Sequence, residues 1–226
     1  MEYILPPIIN IMKDSVTEVR VSLMQNIGKL AKQISEEQID KVIIPEVQKL
    51  SKDNTWRVRL ATCQFIPALA ASVSQNTFKE HIEPLLKTWL EDTVHTVRVE
   101  AILCLVKLKN TVFNLDWLER LLETKVDEFH KHAKFSIRIH TLFIIQNVHK
   151  EVSDQFLNEK LFKTFMKGLA KDPVPNIRFN FAKTAELIYK KLTNSNKMEC
   201  TSLLKTLSED PDFDVKYYSV KTLNNL

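Results

Sequence analysis

The feature that most constrains this 226-residue chain is an acid-to-base spacing that recurs at a fixed interval. DSVTEVR (14–20), DNTWRVR (53–59), DTVHTVR (92–98), DPVPNIR (172–178) and DPDFDVK (210–216) each run from Asp through five residues to Arg or Lys. HAKFSIR (132–138) keeps the layout without the acid. The basic residues, Arg20, Arg59, Arg98, Arg138, Arg178 and Lys216, are separated by 39, 39, 40, 40 and 38 residues. A period of that length held so evenly marks a stacked array, in which each unit buries its apolar face on its neighbours.

Apolar columns appear when each unit is counted from its basic residue. Nine positions before it stand Ile11, Leu50, Trp89, Phe129, Leu169 and Leu207, and twelve before it stand Ile8, Val47, Leu86, Val126, Met166 and Leu204. The two columns are three residues apart and so share the inward face of a first helix. Val19, Val58, Val97, Ile137, Ile177 and Val215 stand immediately before the basic residue. A second stripe follows it, as in Val21, Met24, Ile27 and Leu30, or Ile139, Leu142, Ile145 and Val148.

Each unit therefore reads as helix, turn, helix. The expected pairs are 3–13 with 17–33, 36–51 with 55–71, 76–91 with 95–109, 115–131 with 135–150, 154–170 with 175–191, and 197–208 with 213–225. The fold class is all-α: a HEAT-repeat solenoid of six stacked antiparallel helix pairs over 1–226. Its repeats fall at approximately 1–34, 35–73, 74–112, 113–152, 153–193 and 194–226. Composition agrees, since only Gly28 and Gly168 are glycine, too few for phosphate loops or β-hairpins but enough for helices. Pro6, Pro45 and Pro84 lie 14 residues before their basic residues, in the opening turns of first helices, where a mild bend is expected. Pro67, inside a second helix, should kink it.

Ser35 with Gln38 reads as a capping box. The aspartates at 14, 53, 92, 172 and 210 stand where they can accept first-turn amide protons of the second helices. Asp14, Arg20, Asp53, Arg59, Asp92, Arg98, Arg138, Asp172, Arg178, Asp210 and Lys216 also suit a ladder across repeats, each base reaching sideways to an acid on a neighbouring turn. Solvated capping charge is the alternative. His132 takes the acid's place in the fourth repeat, where the ladder should be weakest.

Three residues before each base stand Thr17, Trp56, His95, Phe135, Pro175 and Phe213, a row of mainly large side chains at equivalent turns. Trp56 beside Arg57 has the composition of an interface anchor; the alternative is that Trp56 folds back over its own helix pair. Lys52, Arg57, Lys131, Lys134, Lys171 and Lys183 add positive charge on or near this edge and would attract an acidic partner. Interspersed Asp53, Asp92 and Asp172 would repel phosphates, and a net charge of +4 announces no nucleic-acid surface.

Enzyme chemistry is not expected. No phosphate loop ending in Lys-Ser/Thr and no His-Glu-x-x-His occurs, so no cofactor or metal is called for. His130, His132, His140 and His149 read better as ordinary polar residues than as a metal set. Cys63, Cys104 and Cys200 are odd in number and widely spaced, which fits thiols in a reducing compartment, and the chain is expected in the cytoplasm and is also compatible with the nucleus. No run approaches ~18 apolar residues, the length needed to span a membrane, and Met1 to Asn10 lacks the features of a signal peptide. The first helix pair should present Ile4, Leu5 and Ile8 as a sticky face.

WRVRLA (56–61), DPVPNIRFNFAK (172–183), DVKYYSVKTL (214–223) and KDSVTEVR (13–20) carry a resemblance to the carboxy-terminal HEAT repeats of the 65-kDa scaffold subunits of protein phosphatase 2A. The resemblance implies a non-catalytic scaffold whose turns hold a phosphatase catalytic subunit through Trp56, Arg57, His95, Phe135, Pro175, Asn176 and Phe213. A regulatory subunit would be a further partner in a longer scaffold. Thr55 stands where the family usually has lysine, and His95 where it usually has tyrosine. A HEAT-repeat module for nucleic acid, transport or other protein assembly is the alternative.

Overall fold

The computed structural model describes residues 5–31 and 33–226, with Ala31 described in its backbone only, so Ile4 of the expected sticky face lies outside the described residues. Twelve helices follow one another among the described residues, with no strand. In the first unit, 1–114, they form three antiparallel pairs: α1 (Leu5–Met12) with α2 (Thr17–Asn26, continued by Gly28–Ala31), α3 (36–50) with α4 (Trp56–Ala70), and α5 (75–89) with α6 (His95–Thr111). In the second unit, 115–226, the pairs are α7 (Leu115–Phe129) with α8 (Phe135–Val148), α9 (154–171) with α10 (Pro175–Ile188), and α11 (Asn194–Leu207) with α12 (Phe213–Asn225). Second helices stack on one another within each unit, α2 on α4 on α6 and α8 on α10 on α12. The architecture is an all-α solenoid of stacked helix pairs.

The columns explain the core. Val47, Leu86, Val126, Met166 and Leu204 are wholly enclosed, and Leu50, Trp89, Phe129, Leu169 and Leu207 are buried beside them. Leu142, Ile145 and Val148 line the inner face of α8. Trp89 is the largest of these side chains, and its Nε1 donates to Ser51 O at 3.1 Å, so even the polar tip is satisfied inside. Leu5 and Ile8, expected as an exposed face, are buried within the first pair, because the short α1 turns both onto α2. The exposed apolar residues of that pair are Ile11, Val16 and Val19.

Pro45 and Pro84 lie just after π-helical turns, at Ile39–Ile43 and Phe78–Ile82, and the equivalent first helix α9 is π-helical over Leu157–Met166 without a proline. Helix α4 runs on through Pro67. Four first helices, α3, α5, α9 and α11, begin on hydroxyl N-caps spaced 39, 79 and 40 residues apart: Ser35, Ser74, Ser153 and Thr193. Only Ser35, with its reciprocal Gln38, was evident from the sequence. The others cap with the hydroxyl alone, and a side chain of the preceding repeat takes the N-cap amide. Ser74 N donates to Glu36 Oε1 and Ser153 N to Glu119 Oε1, both at 2.7 Å, and Thr193 N donates to Asn158 Oδ1 at 2.8 Å.

Candidate protein-binding edge

Every second helix starts in the same way. Its N-cap residue, Val16, Thr55, Val94, Lys134, Val174 or Asp212, is extended, with φ between −95° and −78° and ψ between 115° and 129°. No described residue has a positive φ, so these turns reverse the chain without glycine. The aspartates do not cap first-turn amides as expected, because they stand two residues ahead of the N-cap. Each carboxylate instead accepts the N-cap residue's own amide and closes an Asx turn: Val16 N to Asp14 (2.7 Å), Thr55 N to Asp53 (2.8 Å), Val94 N to Asp92 (2.8 Å), Val174 N to Asp172 (2.9 Å) and Asp212 N to Asp210 (2.9 Å). His132 substitutes for the missing acid, its Nδ1 accepting Lys134 N at 3.0 Å. Only in the last repeat does an aspartate, Asp212, cap a first-turn amide, that of Val215.

Arginines then tie turn to turn. Arg59 Nε and Nη2 fork onto Asp92 at 2.7 and 2.8 Å, Arg138 onto Asp172 at 2.7 and 3.0 Å, and Arg178 onto Asp210 at 2.7 and 2.9 Å. Arg20 reaches Asp53 through one contact at 3.2 Å. The remaining guanidinium nitrogen closes its own turn: Nη1 of Arg59 donates to Asp53 O and Asn54 O, and Arg20, Arg98, Arg138 and Arg178 repeat the pattern. Three positions depart from the expected ladder. Asp14 has no arginine on its carboxylate among the described residues. Lys216, in the sixth repeat, meets Glu209 at 3.7 Å and no turn aspartate among the described residues. Arg98 finds no carboxylate in its own unit, and its Nε has no hydrogen-bond partner among the described residues.

The electrostatics follow this geometry. Burial alone would raise the Asp92 and Asp172 carboxyls, but the arginine forks, the turn amides and the nearby guanidinium charges hold both below the usual carboxylate range. The Arg178 fork does the same for Asp210 against a smaller burial effect. Arg98 moves the other way, its guanidinium lowered by burial. His95 is also lowered, by burial and by the Arg98 charge, so it is neutral at physiological pH.

The candidate interface residues Thr17, Trp56, His95, Phe135, Pro175 and Phe213 prove to be the first helical residue of α2, α4, α6, α8, α10 and α12. They stand one step past the turn, where a side chain projects from the helix end. Within each unit three of them occupy equivalent places along one edge. Trp56 is 37% exposed, Phe135 48% and Phe213 80%, so none folds into the core. Arg57 lies over the Trp56 ring, 5.5 Å from its centroid, bracing the indole. Asn176 is exposed beside Pro175. Lys52, Arg57, Lys134 and Lys171 are exposed and make no ion pair among the described residues, whereas Lys131 approaches Asp127 at 3.8 Å. Four turn acids are engaged by arginines, which leaves Lys52, Arg57, Lys134 and Lys171 as exposed cations near Trp56, Phe135 and Pro175, while the exposed acids Glu18 and Asp214 stand beside Thr17 and Phe213. Lys183 does not belong to this edge. It lies further along α10, over the stacked rings of Phe179 and Tyr218, an aromatic pair that the sequence pattern does not single out.

The histidines are dispersed. His130 Nδ1 contacts Val126 O, His149 Nδ1 contacts Gln146 O, and His140 lies buried between the rings of Phe129 and Phe143. Among the described residues no group of three or more His, Cys, Asp or Glu is placed to hold a metal ion. No described helix is long and apolar enough to cross a membrane.

Comparison with known proteins agrees with the repeat architecture. The MAST/Orbit N-terminal domain superposes with a TM-score of 0.64 at 16% identity, covering 96% of this chain and 95% of that one. Cex1p superposes with a TM-score of 0.62 at 18% identity, over 81% of this chain and 35% of that one. At such identities the likeness speaks for the fold. A curated relative from Saccharomyces cerevisiae, the A-type regulatory subunit of protein phosphatase PP2A, is 32% identical over 121 residues, 50% of this chain and 19% of that protein. The chain is thus an all-α repeat protein distantly related to the yeast regulator, and the match spans about a fifth of the regulator's length. The family model described as PIK3R4-like, middle domain, matches residues 1–195, well over half of the sequence, and the chain belongs to that family.

Proposed function

We propose that the chain is a non-catalytic scaffold module that holds a protein partner along the exposed starts of its second helices, and that the partner is a 2A-type serine/threonine phosphatase catalytic subunit. The observation that carries the reading is the braced, exposed Trp56 at the head of α4, flanked by the exposed cations Lys52 and Arg57 and in a row with the other helix starts of its unit. Large aromatic and arginine side chains held out of the core are the usual anchors of protein interfaces. The rungs beneath keep that edge in a fixed geometry, which reduces the ordering cost of docking. The likeness to the yeast phosphatase regulator supports the choice of partner.

The test is titration calorimetry of Trp56→Ala against purified catalytic subunit, with Trp89→Ala as the contrast. Losing a central aromatic anchor costs at least ~2 kcal/mol of binding, about thirtyfold in affinity. Trp56→Ala should therefore bind far more weakly yet melt close to the parent, because over a third of the indole is already in solvent. Trp89, 1% exposed, should lose about 3–5 kcal/mol of stability on truncation. A Trp56→Ala chain that binds as tightly as the parent removes the tryptophan from the interface. The family match extends over more of the chain than the yeast likeness does, and it favours a second reading, in which the same edge holds a different protein of an assembly. A parent chain with no affinity for the phosphatase would direct the search there.

A further inference from the structure

Five second helices carry an arginine at the same place, and four of these arginines, Arg20, Arg59, Arg138 and Arg178, meet the aspartate of the following turn. Arg98, in an interior repeat, does not. The following repeat has His132 where the acid would stand, and Arg98 meets no carboxylate among the described residues. Its Nη1 closes its own turn on Asp92 O at 2.6 Å and Thr93 O at 3.2 Å, as in the other repeats. Its Nε has no hydrogen-bond partner among the described residues, whereas the Nε of Arg59, Arg138 and Arg178 each donates to an aspartate at 2.7 Å.

Burial makes this imbalance count. Arg98 is only 8% exposed, so bulk water does little to replace the acid, and an unpaired donor on a buried cation is costly. Asp92 does not relieve it, because Arg59 forks onto that carboxylate and Val94 N donates to it. The turn therefore holds two guanidiniums and one carboxylate. Helix α6 adds to the positive side: it is 17 residues long, its N-cap Val94 offers no side-chain acceptor, and its first turn has no acid, so the positive end of the helix dipole is uncompensated there. Thr93, His95 and Thr96 of the same turn are exposed, so the guanidinium lies about one side chain beneath the surface. His95 feels its charge and belongs to the row of helix starts, one repeat after Trp56.

We propose that Arg98 receives an aspartate or glutamate side chain of the docked protein partner, which completes from outside the interior rung that this chain leaves without its acid. The inference rests on the reading of this edge as the seat of a phosphatase catalytic subunit. The ligand chemistry comes from the complete rungs, where the same fork at the same helix position holds a side-chain carboxylate. A pair enclosed in this way governs how long a partner stays, whereas an exposed cation such as Lys52 governs how fast it arrives.

Surface plasmon resonance against purified 2A-type catalytic subunit tests this. Arg98→Met, which keeps the apolar stem, should weaken binding at least about thirtyfold, mostly through faster dissociation. Lys52→Met should chiefly slow association, and its effect should fade in high salt. Where circular dichroism shows Arg98→Met unfolded, Arg98→Lys takes its place; it keeps the charge without the fork and should lose at least about tenfold. A loosened turn would also lower affinity, so two further readouts separate the roles. In a chain carrying isotope-labelled arginine, the Arg98 Nε–H resonance, assigned by its loss in the variant, should shift and exchange more slowly when unlabelled catalytic subunit is added. In a double-mutant cycle, one Asp→Asn or Glu→Gln substitution in the catalytic subunit should reproduce the loss on the parent chain and cost almost nothing on the Arg98 variant. An Arg98 variant that binds as tightly as the parent overturns the proposal and leaves the phosphatase reading in place. So does an Nε–H resonance unmoved at saturation, or a catalytic subunit in which no carboxylate couples to Arg98. A parent chain with no affinity for the subunit overturns the phosphatase reading itself, and this inference with it.

Discussion

The Arg178–Asp210 rung offers a measurable test of how neighbouring repeats are held. A double-mutant cycle combines Arg178→Met, which keeps the apolar stem, with Asp210→Asn, which keeps an oxygen for the Asp212 amide. The fork comprises bonds of 2.7 and 2.9 Å between side chains only 14% and 8% exposed, so water screens it little. At an effective dielectric of about 20, charges about 4 Å apart attract by about 4 kcal/mol before desolvation is subtracted. Charge-assisted hydrogen bonds retain about 1.5–3 kcal/mol net, which sets the expected coupling at about 2–3 kcal/mol. Arg178→Met alone should cost more, about 3–5 kcal/mol, because it strands the Asp210 carboxylate and also frees Asp172 O and Pro173 O. The exposed Lys163–Glu159 pair on α9 is the control and should couple by less than about 0.5 kcal/mol. Urea unfolding followed by far-ultraviolet circular dichroism and by tryptophan fluorescence supplies the energies, with two probes because repeat arrays need not unfold in one step. A rung coupling as small as that of the control would refute the reasoning and make the ladder a set of solvated surface charges.

Other outcomes follow from the same geometry. Asp92, Asp172 and Asp210 titrate below their unfolded value of about 3.9, so their stabilisation is complete above about pH 5 and disappears as pH falls through the folded values; the penalty of Arg178→Met should shrink over that acid range in a pH series of melts. Arg98→Met should cost less than Arg178→Met in the same melts, although Arg98 is the more buried, because it gives up only Asp92 O and Thr93 O. Gly168→Ala should stabilise by about 0.4–1 kcal/mol, since nothing stands within 4 Å of the new methyl group, and a matched melt of Gly28→Ala should show a loss, its Cβ meeting that of Ala68 at 3.1 Å with no side chain to swing aside.

Much of this architecture is legible in the sequence because a solenoid writes each contact several times. The period placed the second-helix starts, and the columns at nine and twelve residues before the base named core residues such as Val47 and Trp89. What one repeat does for another was harder to read. The second use of each arginine, on the carbonyls of its own turn, leaves no trace, since any residue supplies a carbonyl. The aspartates carried a turn signal, but the sequence does not say whether the acceptor oxygen meets the N-cap amide or one further on. Ser74, Ser153 and Thr193 were readable in principle, at about one, three and four periods from Ser35, but none has the Gln three residues on that made Ser35 conspicuous. Ile11 and Val19 match their columns perfectly and are exposed all the same, because a column records the face a residue belongs to and not whether that face is covered.

The amide bonds at the first-helix starts and the arginine forks at the second-helix starts lie at opposite ends of each antiparallel pair. Where both are present, a pair is fixed to its neighbour at two separated points, and rotation of one layer over the next must break one of them. This holds between the second and third pairs, through Glu36 with Ser74 and Arg59 with Asp92. It holds in the other unit between the fourth and fifth, through Glu119 with Ser153 and Arg138 with Asp172, and between the fifth and sixth, through Asn158 with Thr193 and Arg178 with Asp210. The first pair is attached differently: among the described residues its ion pairs with the second, Arg20 with Asp53 and Lys13 with Glu46, both lie at the turn end. At its other end Gly28 lies against Ala68 and Phe65, so in this pair close apolar packing of α2 on α4 supplies the second point of attachment that a polar bond supplies elsewhere.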